Sequence, residues 1–112
     1  MENDIIITAH AERRLKERSG LNKKSIRRIA ERAYLNGIKH SEVKGNLRKW
    51  VDGIYLSEEN ANNIRLYGDK IFLFHNNLLI TVMQIPSNLR NELDNYIKKG
   101  NKQNESKKAV SG

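Results

Sequence analysis

Two short turn signals, Gly68-Asp69 and Asn76-Asn77, do most to limit what this chain can fold into. Each is a two-residue loop of the kind that takes positive φ, and each lies between runs rich in Ile, Leu, Phe, Tyr and Val, the pattern of consecutive β-hairpins. The runs predict strands near 63–67, 70–75 and 78–85, the last closed by Pro86, which has no N–H to give to a ladder. With two-residue loops the register follows: 67 opposes 70, 65 opposes 72, 75 opposes 78, and 72 opposes 81. One face of such a sheet collects Ile64, Leu66, Ile71, Leu73, Leu78, Ile80 and Val82, with His75 and Gln84 at its edges, and suits packing against helices. The other collects Arg65, Tyr67, Lys70, Phe72, Phe74, Leu79, Thr81, Met83 and Ile85, which mixes cations with aromatic rings.

Before the meander the apolar period is helical. Ile5-Ile6-Ile7 reads as a short strand ending at Thr8, an N-cap residue, and a helix is expected from Thr8 to about Arg18, stopped by Ser19-Gly20, with Ala11 and Leu15 turned to the core. Asn22 caps a second helix in which Ile26, Ile29, Ala30 and Ala33 fall on one stripe before Asn36-Gly37. A third is predicted from Ser41 to about Asp52 with Val43, Leu47, Trp50 and Val51 inward and weakened by Gly45, followed by a linker over 53–62. Ser87 caps a last amphipathic helix carrying Leu89, Leu93, Tyr96 and Ile97, with Lys98-Lys99 at its end. The fold class is therefore α+β: N-terminal helices packed on one face of a three- to four-stranded antiparallel sheet, with a C-terminal helix. A single domain is expected over 1–99, and 100–112, rich in Asn, Lys, Gln, Ser and Glu, as a disordered basic tail.

Charge narrows the partners. The 112 residues carry a formal +8, concentrated between Thr8 and Arg32, where nine Lys/Arg face three Glu. That is an electrostatic footprint for a polyanion, and the basic helices lack the Trp/Phe/Leu wedge of a membrane-surface helix. No cysteine is present, which excludes thiolate metal sites, disulfides and cysteine nucleophiles. The acidic N-terminus is unlike a secretory signal and no apolar run approaches the length of a membrane span, so a cytoplasmic protein is expected.

The first helix holds the residues most suited to chemistry. His10, Arg14 and Arg18 recur at i, i+4, i+8 and share one stripe beside the Ala11/Leu15 core edge. Cleaving RNA without a metal needs a base for the 2′-hydroxyl, an acid for the 5′-oxygen and cations for the phosphorane; His10, Tyr67, Arg14 and Arg65 are chemically suited to those tasks. Arg13, Arg18, Lys23, Lys24, Arg27, Arg28, Arg32 and Lys70 would hold phosphates, and Phe72 would stack on a base. His40 in a loop and His75 beside a turn have no carboxylate cluster around them in sequence, so neither metal nor cofactor is expected.

The helix His10-Ala-x-x-Arg14-x-x-x-Arg18, the basic helix pair, Asn63-Ile64-Arg65-Leu66-Tyr67 and Leu79-Ile80-Thr81-Val82 together resemble small proteins of phages and mobile elements in Gram-positive bacteria, and the wider group of metal-independent ribonuclease toxins of RelE and colicin D type. The resemblance spans roughly Ile5 to Pro86. It implies a helical layer on an antiparallel sheet, an RNA site built from His10 and Arg14 of the helix with Arg65, Tyr67 and Thr81 of the sheet, and an acidic antitoxin or host protein as partner. A toxin-like endoribonuclease leaving cyclic phosphate ends is the expected function. A non-catalytic nucleic-acid binder using the Arg27/Arg28/Arg32 face, and a modulator of host defence, are the other readings left open.

Overall fold

In a computed structural model of the chain, residues 5–96 are described. The expected basic tail at 100–112, and Ile97, Lys98 and Lys99 of the last helix, lie outside them. The described residues form an α+β fold, in which β1 (Ile6–Ile7), α1 (Ala9–Ser19), α2 (Lys23–Asn36), β2 (Ile38–Lys39), α3 (Gly45–Ser57), β3 (Asn63–Tyr67), β4 (Lys70–His75) and β5 (Leu78–Gln84) follow in order. Single 3-10 turns occupy His40–Glu42 and Ser87–Leu89, and residues 90–96 form a last helix, α4.

Two of the three expected N-caps form, and the third is corrected: Ser87 lies inside a 3-10 turn that follows Pro86 and makes no side-chain cap bond. Thr8 accepts from the Ala11 N–H to open α1, and Asn22 accepts from Ser25 N–H to open α2. Gly20 ends α1 at φ 63°, in the left-handed region that glycine enters without steric cost. Gly37 serves by lacking a side chain: a Cβ there would lie 2.8 Å from Arg65 Cβ and 2.5 Å from the Ala33 carbonyl oxygen. That close approach lets β2 leave α2 directly and pair with β3.

The expected antiparallel sheet of three to four strands is corrected to a mixed sheet of five, in the order β1-β5-β4-β3-β2. Two-residue strands at the two edges extend it: β1 pairs in parallel with β5 at Leu78 and Leu79, and β2 pairs antiparallel with β3. β2 was hidden in sequence because two residues are too few to show a period. The third helix is also corrected. His40–Glu42 is a 3-10 turn, and α3 begins only at Gly45, which has φ 65°, and continues to Ser57 through the region expected to be a linker.

Both meander turns form as expected, with Gly68 at φ 63° and Asn76 at φ 55°. The pairs 67 with 70, 65 with 72, and 75 with 78 hold, but Phe72 opposes Val82, not Thr81, because the β4–β5 register slips between Leu73 and Phe74. A one-residue slip moves every later side chain to the other face. Val82 therefore joins Phe72, Phe74 and Leu79 under α1 and α2, while Met83 and Ile85 join Ile64, Leu66, Ile71 and Leu73 under α3.

Helices thus cover both faces, where one was expected. Ile5, Ala11, Leu15, Ile26, Ala30 and Ala33 close over the aromatic face, and Val43, Leu47, Val51, Leu89 and Leu93 close over the other. The rings of Phe72 and Phe74 are buried, each removing from water enough apolar surface to favour folding by about 1.5–3 kcal/mol. No helix among the described residues is long and apolar enough to cross a membrane.

Candidate active site

β1 ends at Ile7, and Thr8 turns the chain into α1, so no strand among the described residues lies beside β5 beyond Leu79. Thr8 makes this junction with both halves of its hydroxyl. Oγ1 accepts from Ala11 N–H at 3.1 Å and donates to the Ile80 carbonyl at 3.0 Å, while Thr8 N–H donates to the Leu79 carbonyl at 3.2 Å. α1 is thereby anchored along the open edge of β5, and His10, two residues on, reaches it: His10 Nε2 lies 3.1 Å from Thr81 Oγ1. The contact joins residues 71 apart in sequence, and Thr81 is buried while His10 is exposed.

Between α1 and α3 this edge forms the floor of a cleft of about 560 Å³, within the ~300–1,000 Å³ range of ligand sites. His10 and Arg14 form one wall, Trp50, Ile54 and Glu58 the other, with Ile80–Gln84 and Pro86 below. Trp50 and Ile54 of α3 and Glu58, the residue at its C-cap, share the cleft because they recur every four residues. Gln84 is held at its end, donating from Nε2 to Asp69 Oδ2 at 2.9 Å and to the Asp69 carbonyl at 3.1 Å. An imidazole, a guanidinium, a carboxylate and an indole thus surround one open space.

The remaining residues expected at the site lie elsewhere. Arg65 and Tyr67 are on β3, separated from β5 by β4, which places their strand about 9–10 Å away. Tyr67 packs at the margin of the core beneath α1 and α2, and Arg65 donates from Nε to Asn63 Oδ1 at 3.0 Å. Phe72, expected to stack on a base, is buried because the helical layer covers the aromatic face. Lys70 is only 15% exposed and pairs with Asp69 Oδ1 at 2.9 Å. Hydrogen bonds from Gln84, then Lys70, hold the Asp69 carboxyl below the ordinary carboxylate range.

Of the helical cations, Arg13, Lys23, Lys24, Arg28 and Arg32 are exposed. Arg27 is partly committed, donating from Nη2 to the Ile5 carbonyl at 2.9 Å and so tying α2 to the residue that precedes β1. The Arg18 side chain is outside those described. Among the described residues no three His, Cys, Asp or Glu side chains converge as metal ligands would.

Sequence reasoning missed Glu58, because it fell in the stretch read as a linker, and treated Trp50 only as core. It also passed over His40, whose Nε2 is 2.6 Å from Asp52 Oδ1. The signal for that pair was faint: twelve residues separate them, across a 3-10 turn and a helix start. No protein-family model, curated protein or solved structure matches the chain.

Proposed function

We propose that the protein binds RNA and cleaves it in the His10 cleft without a metal ion. The observation that supports this reading most is the seating of His10, Arg14 and Glu58 around a single cleft at the β5 edge. A phosphodiester in that space meets a carboxylate on one side and an imidazole on the other, the pair that acid–base cleavage needs. Glu58 takes the proton of the 2′-hydroxyl as its oxygen forms a bond to phosphorus. Protonated His10 gives its proton to the 5′-oxygen as the P–O5′ bond breaks. Arg14 offsets the charge that builds on the phosphorane oxygens. The products are a 2′,3′-cyclic phosphate and a 5′-hydroxyl, and Trp50 supplies a ring for a flanking base.

The exposed Lys23, Lys24, Arg28 and Arg32 of α2 support retention of the strand by phosphate contacts outside the cleft, a mode of binding that does not require cleavage. An oligonucleotide assay in excess chelator tests the reading. His10→Ala and Glu58→Gln are each expected to lower the cleavage rate at least about 100-fold while RNA binding persists. Undiminished cleavage by His10→Ala rejects the assignment, and binding with no cleavage by the wild type leaves a basic RNA binder.

A further inference from the structure

A second imidazole occupies a pocket of its own. Leu47 and Val51 form the buried stripe of α3; Trp50, Ile54 and Glu58 flank it on one side, and Arg48, Asp52 and Tyr55 on the other. On that second flank a pocket of about 320 Å³ is lined by Lys39, His40, Ser41, Arg48, Tyr55 and Asn63, among others.

Its polar groups are positioned before any ligand arrives. Asp52 Oδ1 takes His40 Nε2 at 2.6 Å and Arg48 Nε at 2.9 Å. A carboxylate only accepts, so Nε2 carries the hydrogen and Nδ1 is left over. Arg48 Nη1 donates to the Val43 carbonyl at 3.2 Å, which clamps the guanidinium and leaves Nη2 without a hydrogen bond among the described residues. Asn63 Oδ1 is occupied by Arg65 Nε, so its amide N–H groups remain. Tyr55, 45% exposed, packs 5.5 Å from the His40 ring and still presents ring surface to solvent. A network that only fastened the 3-10 turn to α3 would be complete with His40 and Asp52. It would need neither an unspent guanidinium nitrogen nor an open aromatic ring beside the same space.

We infer that this pocket holds one nucleotide, its phosphate against Arg48 Nη2 and Lys39 and its base on Tyr55, with His40 Nδ1 accepting from, and Asn63 and Ser41 bonding to, base or ribose. The inference is independent of the cleft at His10 and stands even where that cleft cuts nothing.

Isotope-labelled full-length protein titrated by NMR tests it, with adenosine and cytidine monophosphates, the unphosphorylated nucleosides, inorganic phosphate and a short single-stranded RNA as separate probes. Saturable shifts are expected at the Asn63 side-chain amide, Arg48 Nε and the Tyr55 ring. They should weaken about tenfold in Arg48→Gln and in Tyr55→Ala and persist in His10→Ala. Saturation by the monophosphates assigns a free nucleotide, and saturation by the RNA alone assigns a unit of a strand; both support the site. It is overturned if no probe gives saturable shifts there, if inorganic phosphate or the nucleosides bind as tightly as the nucleotides, or if neither variant weakens binding. Should Arg48→Gln fail to fold, Tyr55→Ala decides alone, since its exposed ring leaves the core intact.

Discussion

His10 and His40 stand on opposite flanks of α3, and their partners differ in kind. Thr81 offers His10 a hydroxyl; Asp52 offers His40 a carboxylate. A hydroxyl both donates and accepts, so His10 keeps its hydrogen bond whether its Nε2 carries a hydrogen or not. A carboxylate only accepts and fixes one arrangement of the ring. The first suits a group that must give up a proton and recover it, and the second suits a group that holds a ligand in one pose. An imidazole's partner therefore says more about its use than the histidine does.

The largest effect that would sharpen this contrast is on stability. Phe72 is buried beneath α1 and α2, so Phe72→Ala is expected to cost about 3–5 kcal/mol in denaturant unfolding. Amide exchange should rise in α1 more than in α3, loosening the His10 side first; equal loosening of both helices would mean the two flanks do not stand apart. Next comes the partner itself. Thr81→Val keeps the packing and removes the hydroxyl, a loss of about 1 kcal/mol, and should lower RNA cleavage about fivefold. His75→Ala, the control at an exposed histidine that lines neither pocket, should leave the rate unchanged.

The legible part of the fold was the part with a period. Asn22, Thr8, the apolar stripe of α2 and the positive-φ turns at Gly68 and Asn76 announce themselves in sequence, because local backbone chemistry selects those residues. The register slip at Leu73/Phe74 does not, since nothing local distinguishes a bulged strand from a regular one; it exchanged Val82 with Met83 and Ile85 between faces. The Arg65/Tyr67 face looked open because the N-terminal helices were assigned to the other face, whereas α1 and α2 cover this one. For the candidate site, the helical stripe put His10 and Arg14 together, and the structure places Thr81 beside His10. Trp50 and Glu58 came from the opposite wall, which only the packing of α3 on the sheet brings near.

An effect on stability of similar size tests the junction that positions His10. Thr8→Ala removes both the cap of α1 and the bond to the Ile80 carbonyl, and should cost about 1–2 kcal/mol in thermal or denaturant unfolding. Its loss of cleavage should exceed that of an equally destabilising substitution beneath α3, if α1 is the element that aims the imidazole.

The smallest effect is a dependence on acid that Asp52 brings to the His40 flank. Hydrogen bonds from His40, then Arg48, hold the Asp52 carboxyl below its ordinary value. A carboxyl lowered on folding contributes stability above its unfolded value, about 3.9, and that contribution disappears as pH falls through the folded value. Melts followed from neutral to strongly acidic pH should show this loss below about pH 4, partly flattened in Asp52→Asn. The His10–Thr81 pair has no carboxylate and should add nothing to the effect in that range, so a Thr81→Val profile parallel to the wild type is the expected companion result.

Cleavage at the β5 edge is tested most directly by the chemical ends of RNA incubated with purified protein in excess chelator. The account predicts a 2′,3′-cyclic phosphate on one fragment and a 5′-hydroxyl on the other, with DNA of the same sequence untouched. Intact RNA, fragments bearing 5′-phosphates, or cutting of the DNA would contradict it.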